Sequence, residues 1–181
     1  GIELKEKLKK LAPRIAQAAR TIIGCMESGG KILICGNGGS AADSQHIAAE
    51  LVGRFKRERR ALPALALTTD SSILTSLAND YSFDEVFARQ VEAHGCPGDL
   101  LIMISTSGNS MNVVKAGRLA KSRRMKTIAI LGRDGGRIAR EAQLSIIVPA
   151  ADTARIQEGH SAIYHILCDL VDEAFSSKDE E

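Results

Sequence analysis

Along the first stretch of the chain, apolar residues fall at Leu4, Leu8, Leu11, Ile15, Ala18 and Ile22, in alternating steps of four and three that draw a narrow helical seam. Pro13 lies inside that seam and predicts a kink or division near Ala12, since proline has no amide to give a helix interior. The near-heptad spacing predicts an oligomerisation helix within the segment 1–28. Beyond it the pattern changes to short, almost continuous apolar runs: KILIC (31–35), ALALT (64–68), LLIMIS (100–105), TIAIL (127–131) and LSIIVP (144–149). Such runs mark strands buried on both faces, as in a parallel sheet covered by helices. The stretches between them, 41–54, 83–94 and 111–123, have helical length, and 70–79 and 135–142 allow shorter helices. TARIQEGHSAIYHILCDLVDEAF (153–175) reads as a long helix whose buried side is Ile156, Ile163, Ile166, Leu167, Leu170, Val171 and Ala174. Five strands alternating with helices predict a three-layer α/β/α sandwich around a five-stranded parallel sheet over 31–175.

Length and composition narrow the possibilities. A chain of 181 residues fits a single domain, 1–181, with a core that needs no staples. Lys plus Arg is 24 against 22 for Asp plus Glu, so a net charge of +2 gives no reason to expect a nucleic-acid partner, and a bound anion must be gripped locally. Cys25, Cys35, Cys96 and Cys168 lack zinc-ribbon or redox spacing and read as reduced packing residues of a cytoplasmic protein. No apolar run reaches the roughly 20 residues of a membrane helix, and GIELKEKLKK lacks the apolar core of a signal peptide. The terminal KDEE is expected to fray.

In this architecture ligands bind beyond the carboxyl ends of the strands. The first strand runs into CGNGGSAAD (35–43), where Gly36, Gly38 and Gly39 allow close backbone approach and the following helix offers free amides. It is either a site for an anion or hydroxyl-rich ligand or simple turn chemistry, and it is neither a dinucleotide fingerprint nor a Walker loop. The third strand ends in ISTSGNS, where Ser105, Thr106, Ser107 and Ser110 crowd a turn before a helix. One N-cap needs one hydroxyl, so four favour a phosphate held by hydroxyls and helix amides. Thr68, Thr69, Asp70, Asn79 and Asp80 are able either to meet sugar hydroxyls or to cap and turn the backbone. GRFKRERR (53–60) reads as a solvated helix end, with Arg54 one turn beyond Glu50 held in reserve. His46 and Glu50 sit one turn apart on one helix face, a spacing that surface neighbours also show. By ordinary tendencies His165, between Tyr164 and Ile166, is a packed core histidine, whereas Gln157, Glu158 and His160 lie near the helix start where polar groups can reach a site.

Taken together, CGNGGSAADSQHIAAELVGRF, LPALALTTDSSILTSLANDYSF, PGDLLIMISTSGNS and TARIQEGHSAIYHILCDL resemble the phosphoheptose isomerases, members of the flavodoxin-like sugar isomerase (SIS) fold, in consistent order from about Lys31 to Leu170. The resemblance implies interconversion of sedoheptulose 7-phosphate and D-glycero-D-manno-heptose 7-phosphate in bacterial heptose synthesis, by a homotetramer with sites at subunit interfaces. It also implies that Asn37, Gly38, Gly39, Asn79 and Asp80 contact the sugar and that Ser105, Thr106, Ser107 and Ser110 take the phosphate. His46, Glu50, Gln157 and His165 match the ligands of one zinc ion (Zn2+), with Glu50 and His165 as the acid/base pair. On an unbroken helix Gln157 and His165 stand about 12 Å apart along the axis. Either the helix starts after Gln157 or the two come from different subunits. Two rivals share the fold: a non-catalytic protein binding the replication initiator DnaA, and an isomerase for another sugar phosphate. Retention of both Glu50 and His165 favours the heptose isomerase over the first.

Overall fold

The computed structural model describes residues 6 and 8–176, so Leu4 of the helical seam and the terminal KDEE lie outside the described residues. Lys10 and Leu11 form a turn, and helix α1 (Ala12–Glu27) then begins with Pro13 in its first turn, where its missing amide costs no hydrogen bond. The seam is therefore divided at the proline. Next come β1 (Ile32–Gly36), α2 (Gly39–Val52), β2 (Ala64–Ala66), α3 (Ser71–Asp80), α4 (Ala88–His94), β3 (Leu100–Ser105), α5 (Met111–Ser122), β4 (Lys126–Gly132), β5 (Leu144–Val148) and α6 (Thr153–Ser176). Single turns of 3-10 helix at Phe83–Glu85 and Ile138–Arg140 replace part of one predicted helix and all of another.

The strands form one parallel sheet in the order β2-β1-β3-β4-β5. Their continuous apolarity resolves by parity, because alternate side chains of a strand leave opposite faces. Ile32, Ile34, Leu100, Ile102, Ile104, Ile128, Ile130 and Ile146 pack under α1, α2 and α6. Leu33, Cys35, Leu101, Met103, Ala129 and Leu131 pack under α4 and α5. All four cysteines are free and three are buried; Cys96 is exposed, which corrects its reading as a packing residue. No helix among the described residues is long and apolar enough to cross a membrane.

Two positions on α6 depart from expectation. Ile163, Leu167 and Val171 take the sheet-facing seam, while Ile166 turns off it and is 45% exposed. It lines an apolar groove between α6 and the amino-terminal helices, together with Leu8, Ala12, Ile15, Ala162 and Leu170. His160 goes the other way, since the phase of the helix carries it into the core, where among the described residues neither ring nitrogen has a hydrogen-bond partner. Burial pushes its pKa down to about 4, against 6.5 for a free imidazole. Between those values the unfolded chain holds a proton that the folded chain refuses, so stability falls as pH drops through that window, by about 3 kcal/mol in all. Urea midpoints at pH 7 and pH 5 should therefore diverge more for the wild type than for His160→Leu; equal shifts would remove His160 as the cause.

Candidate functional site

The chain reverses its direction across the sheet between β1 and β3, and Gly36 pairs with Ile104 at the ends of those strands. The loop 36–39 and the loop 105–110 consequently leave the sheet side by side, at the switch point where α/β sheets place their ligands. Gly38 sits at a φ of 56°, a conformation that favours glycine. Asn37 is tied to Asn112 on α5 by a reciprocal amide pair, each amide donating to the other's oxygen at 2.9 Å. Asn112 is buried and was not singled out from the sequence; its only linear signal is its position two residues after Ser110.

The hydroxyl loop does not spend its side chains on capping α5. The Gly108 amide donates to Ser105 Oγ at 3.1 Å and the Asn109 amide donates to Ser107 Oγ at 3.2 Å, while Ser110 holds the N-cap position without a side-chain bond. Of the first-turn amides of α5, that of Val113 donates to Asn112 Oδ1 at 2.9 Å, which leaves those of Met111 and Asn112 for an anion. Gly108, at a φ of 69°, abuts the backbone of Gly135 and Gly136, and the Arg137 amide donates to Asn109 Oδ1 at 3.1 Å, so a neighbouring loop braces the turn. Asp70, by contrast, takes the capping role: its Oδ1 accepts from the Ile73 amide at 2.9 Å.

Two turns down α2 a second cluster gathers. His46 Nε2 lies 2.9 Å from Glu50 Oε1, and His46 Nδ1 lies 3.2 Å from the Tyr164 hydroxyl. The His165 ring stands 5.2 Å from that of His46 in an edge contact and stacks on Phe55 at 5.4 Å and 15°. Half-buried rather than packed in the core, His165 is held below the usual imidazole range by burial, with His46 and Lys56 adding to the effect and Glu50 opposing it. Burial raises the Asp43 carboxyl, and its enclosed Oδ2 has no hydrogen-bond partner among the described residues. Asp43, Tyr164 and Phe55 were all missed as site residues; Asp43 is one turn before His46 on the same helix face, the one signal available in the spacing.

Phe55 is positioned by the basic segment, which is not a solvated helix end. Asp172 Oδ2 accepts from the amides of Phe55, Lys56 and Arg57 at 3.1, 2.7 and 3.0 Å, and its Oδ1 accepts from Arg59 Nε at 2.9 Å. The Arg59 side chain is fully buried and also donates to the carbonyls of Glu50, Leu51 and Gly53. Those are the carbonyls that the end of α2 leaves without partners, which is why an arginine goes inward here. Lys56 and Arg57 pair with Asp169, whereas Arg54 pairs with Glu58 on the surface.

Gln157 belongs to the first cluster. Its amide lies against Gly39, where a β-carbon would collide with it. Gln157 and His165 occupy one unbroken helix, so the possibility of a helix starting after Gln157 fails and about 12 Å of axis separates them. Asn79 and Asp80 sit at the exposed end of α3, where Asn79 Nδ2 donates to Asp80 Oδ1 at 2.8 Å, and α3 packs on the turn at 83–85. Chemically, two imidazoles and a carboxylate are donors that zinc accepts, and His46 and Glu50 already face one another. Among the described residues no three such donors close around an ion within the single chain.

Residues 2–132 match the SIS domain family. The chain is 54% identical over 182 residues to the phosphoheptose isomerase of Citrifermentans bemidjiense, covering 94% of this chain and 95% of that one. Among solved structures it is similar to a phosphoheptose isomerase from Neisseria gonorrhoeae, with a TM-score of 0.90 and 49% identity over 95% of this chain and 92% of that one. It is also similar to one from Francisella tularensis, with a TM-score of 0.91 and 41% identity over the same shares, 95% and 92%.

Proposed function

The chain belongs to the SIS domain family and, within it, to the phosphoheptose isomerases, and from that premise we propose how its residues divide the work of an aldose-ketose exchange. The reaction interconverts sedoheptulose 7-phosphate and D-glycero-D-manno-heptose 7-phosphate in heptose biosynthesis. Glu50 takes the proton from the carbon beside the carbonyl, leaving an enediol that is reprotonated at the neighbouring carbon. His165, kept neutral by its burial, passes the hydroxyl proton between the two oxygens. Ser105, Thr106, Ser107 and Ser110 hold the phosphate with the α5 amides, and Asn37, Gly38, Gly39 and Gln157 line the sugar. His46, Glu50, Gln157 and His165 would hold a zinc ion in a set shared between copies of the chain; when bound, the ion supplies a Lewis acid that polarises the carbonyl oxygen.

The observation that carries this division is a distance. Eleven residues of α2 separate Gly39 from Glu50, about 16 Å of axis before the side chain leans back. The seven bonds from C2 to the phosphorus of a heptose 7-phosphate, at about 1.5 Å each, span less than about 11 Å. That mismatch supports a site that draws its phosphate loop and its acid/base pair from different copies. The apolar groove between α1 and α6 supports assembly into a homotetramer, with Asn79 and Asp80 free on the surface to meet a neighbouring copy's sugar. A cytoplasmic location fits a reaction on a phosphorylated sugar.

Incubation with sedoheptulose 7-phosphate, before and after exhaustive chelation, tests both levels. Absence of the aldose product under every metal condition would overturn the isomerase assignment of the residues; full activity without metal would remove zinc alone. Mixed oligomers of Glu50→Gln and Ser107→Asp chains, each inactive, should regain activity when co-assembled, and silence of the mixture would return the site to one chain.

A further inference from the structure

Two loops meet in the reciprocal amide pair of Asn37 and Asn112, and a third hydrogen bond decides which way round both amides stand. The oxygen and nitrogen ends of a side-chain amide are alike in shape, so orientation comes from what each end faces. The Val113 amide donates to Asn112 Oδ1 at 2.9 Å, and Asn37 Nδ2 donates to the same oxygen at 2.9 Å. Both lone pairs of that oxygen are then taken, and turning the group over would set its NH2 against the Val113 N–H. Asn112 Nδ2 is thereby aimed at Asn37 Oδ1, which accepts from it at 2.9 Å. Asn37 keeps one Nδ2 hydrogen and one Oδ1 lone pair for a ligand. Asn112 is buried whereas Asn37 is only partly so, hence the inner amide carries the constraint and the outer one receives it.

We propose that Asn112 is a positioning residue for the sugar: it locks Asn37 in one amide orientation and pins the glycine loop to the amino terminus of α5, so that the sugar and phosphate ends of the site keep a fixed spacing. Asn112 stands second in α5, and its main-chain amide is one of the two left for an anion. One residue thus serves the phosphate through its backbone and the sugar through its side chain. A contact group held in place before the ligand arrives loses less freedom on binding. This inference rests on the reading of Asn37 as a sugar contact and of α5 as the phosphate end, and it adds a residue that acts on the sugar only through Asn37.

Asn112→Ala should raise KM for sedoheptulose 7-phosphate by about ten-fold, the worth of one hydrogen bond. Its kcat should stay within about two-fold of wild type, because a contact away from the reacting carbons binds ground and transition states alike. Inorganic phosphate should inhibit the variant at least as well as the wild type, since truncation leaves the hydroxyl loop in place and frees the Val113 amide. Weakened phosphate inhibition would mean that Asn112 only shapes the end of α5, and would overturn the proposal. Asn37→Ala should raise KM to a similar degree, and the double variant should be no worse than Asn37→Ala alone; effects that multiply also overturn it. Asn112→Leu, close to asparagine in shape, repeats the measurement if the smaller side chain unsettles the fold. NMR of the wild-type side-chain amides needs neither a variant nor turnover. Slow solvent exchange and a mutual Overhauser contact between the Asn37 and Asn112 NH2 groups are expected. Rapid exchange at both overturns the lock, and it does so even where no aldose forms and the sugar reading fails by itself.

Discussion

Glu50→Gln is expected to reduce kcat by about a thousand-fold, within the range of 10² to 10⁴ that a positioned general base contributes, while binding of the phosphosugar stays close to wild type. The amide has the shape of the carboxylate and can still bond His46 across the 2.9 Å contact, so α2 and its neighbours keep their places. What is lost is the ability to accept a proton from carbon. Exchange of the substrate's C1 and C2 hydrogens with deuterated solvent, followed by NMR, reads that step directly. Exchange in the variant at the wild-type rate would show that another group is the base.

The second large effect is on stability. Asp172→Asn or Arg59→Met is expected to cost 3 to 5 kcal/mol, the usual penalty for stranding one member of a buried ion pair, and to lower the thermal midpoint by about 10 °C in a domain of this size. Asp172 is fully buried. Burial alone would raise its carboxyl, but the Lys56 and Arg57 amides and the Arg59 guanidinium prevail and hold it below the usual carboxylate range. Removing either partner also releases the segment that stacks Phe55 on His165, so kcat should fall alongside the midpoint. Calorimetry on both variants checks this; a midpoint within 2 or 3 °C of wild type, less than about 1.5 kcal/mol at this size, would mean that the pair contributes little.

Particular residues show how far the sequence could be read. Five apolar runs placed five strands because a strand buried on both faces has no polar side to disguise it, and parity then assigns Ile102 and Met103 to opposite layers without further information. Likewise, Ser105 to Ser110 exceeded the needs of one cap, and the structure leaves Ser110 uncommitted. The basic segment misled because charge runs say nothing of distant partners: Asp172 lies 113 residues from Arg59. The ordinary tendencies of histidine misled on α6 for a different reason. His160 and His165 differ by five residues, and a small error in helical phase exchanges core for surface. Asn112 carried no periodic signature, since its role is defined by Asn37, 75 positions earlier.

The placement of α6 also sets an order on assembly. Its Tyr164 meets His46 across 118 residues, and its Asp172 gathers the 55–57 amides from 115 to 117 residues away. Contacts of such sequence separation close late, after local helices and adjacent strands have formed. A chain with its sheet built but its last helix undocked would already own the hydroxyl loop and the glycine turn, yet have no oriented histidine and no ordered 53–60 segment. Phosphate affinity and chemical competence are therefore acquired at different moments, and a folding experiment that follows both should see the first appear before the second.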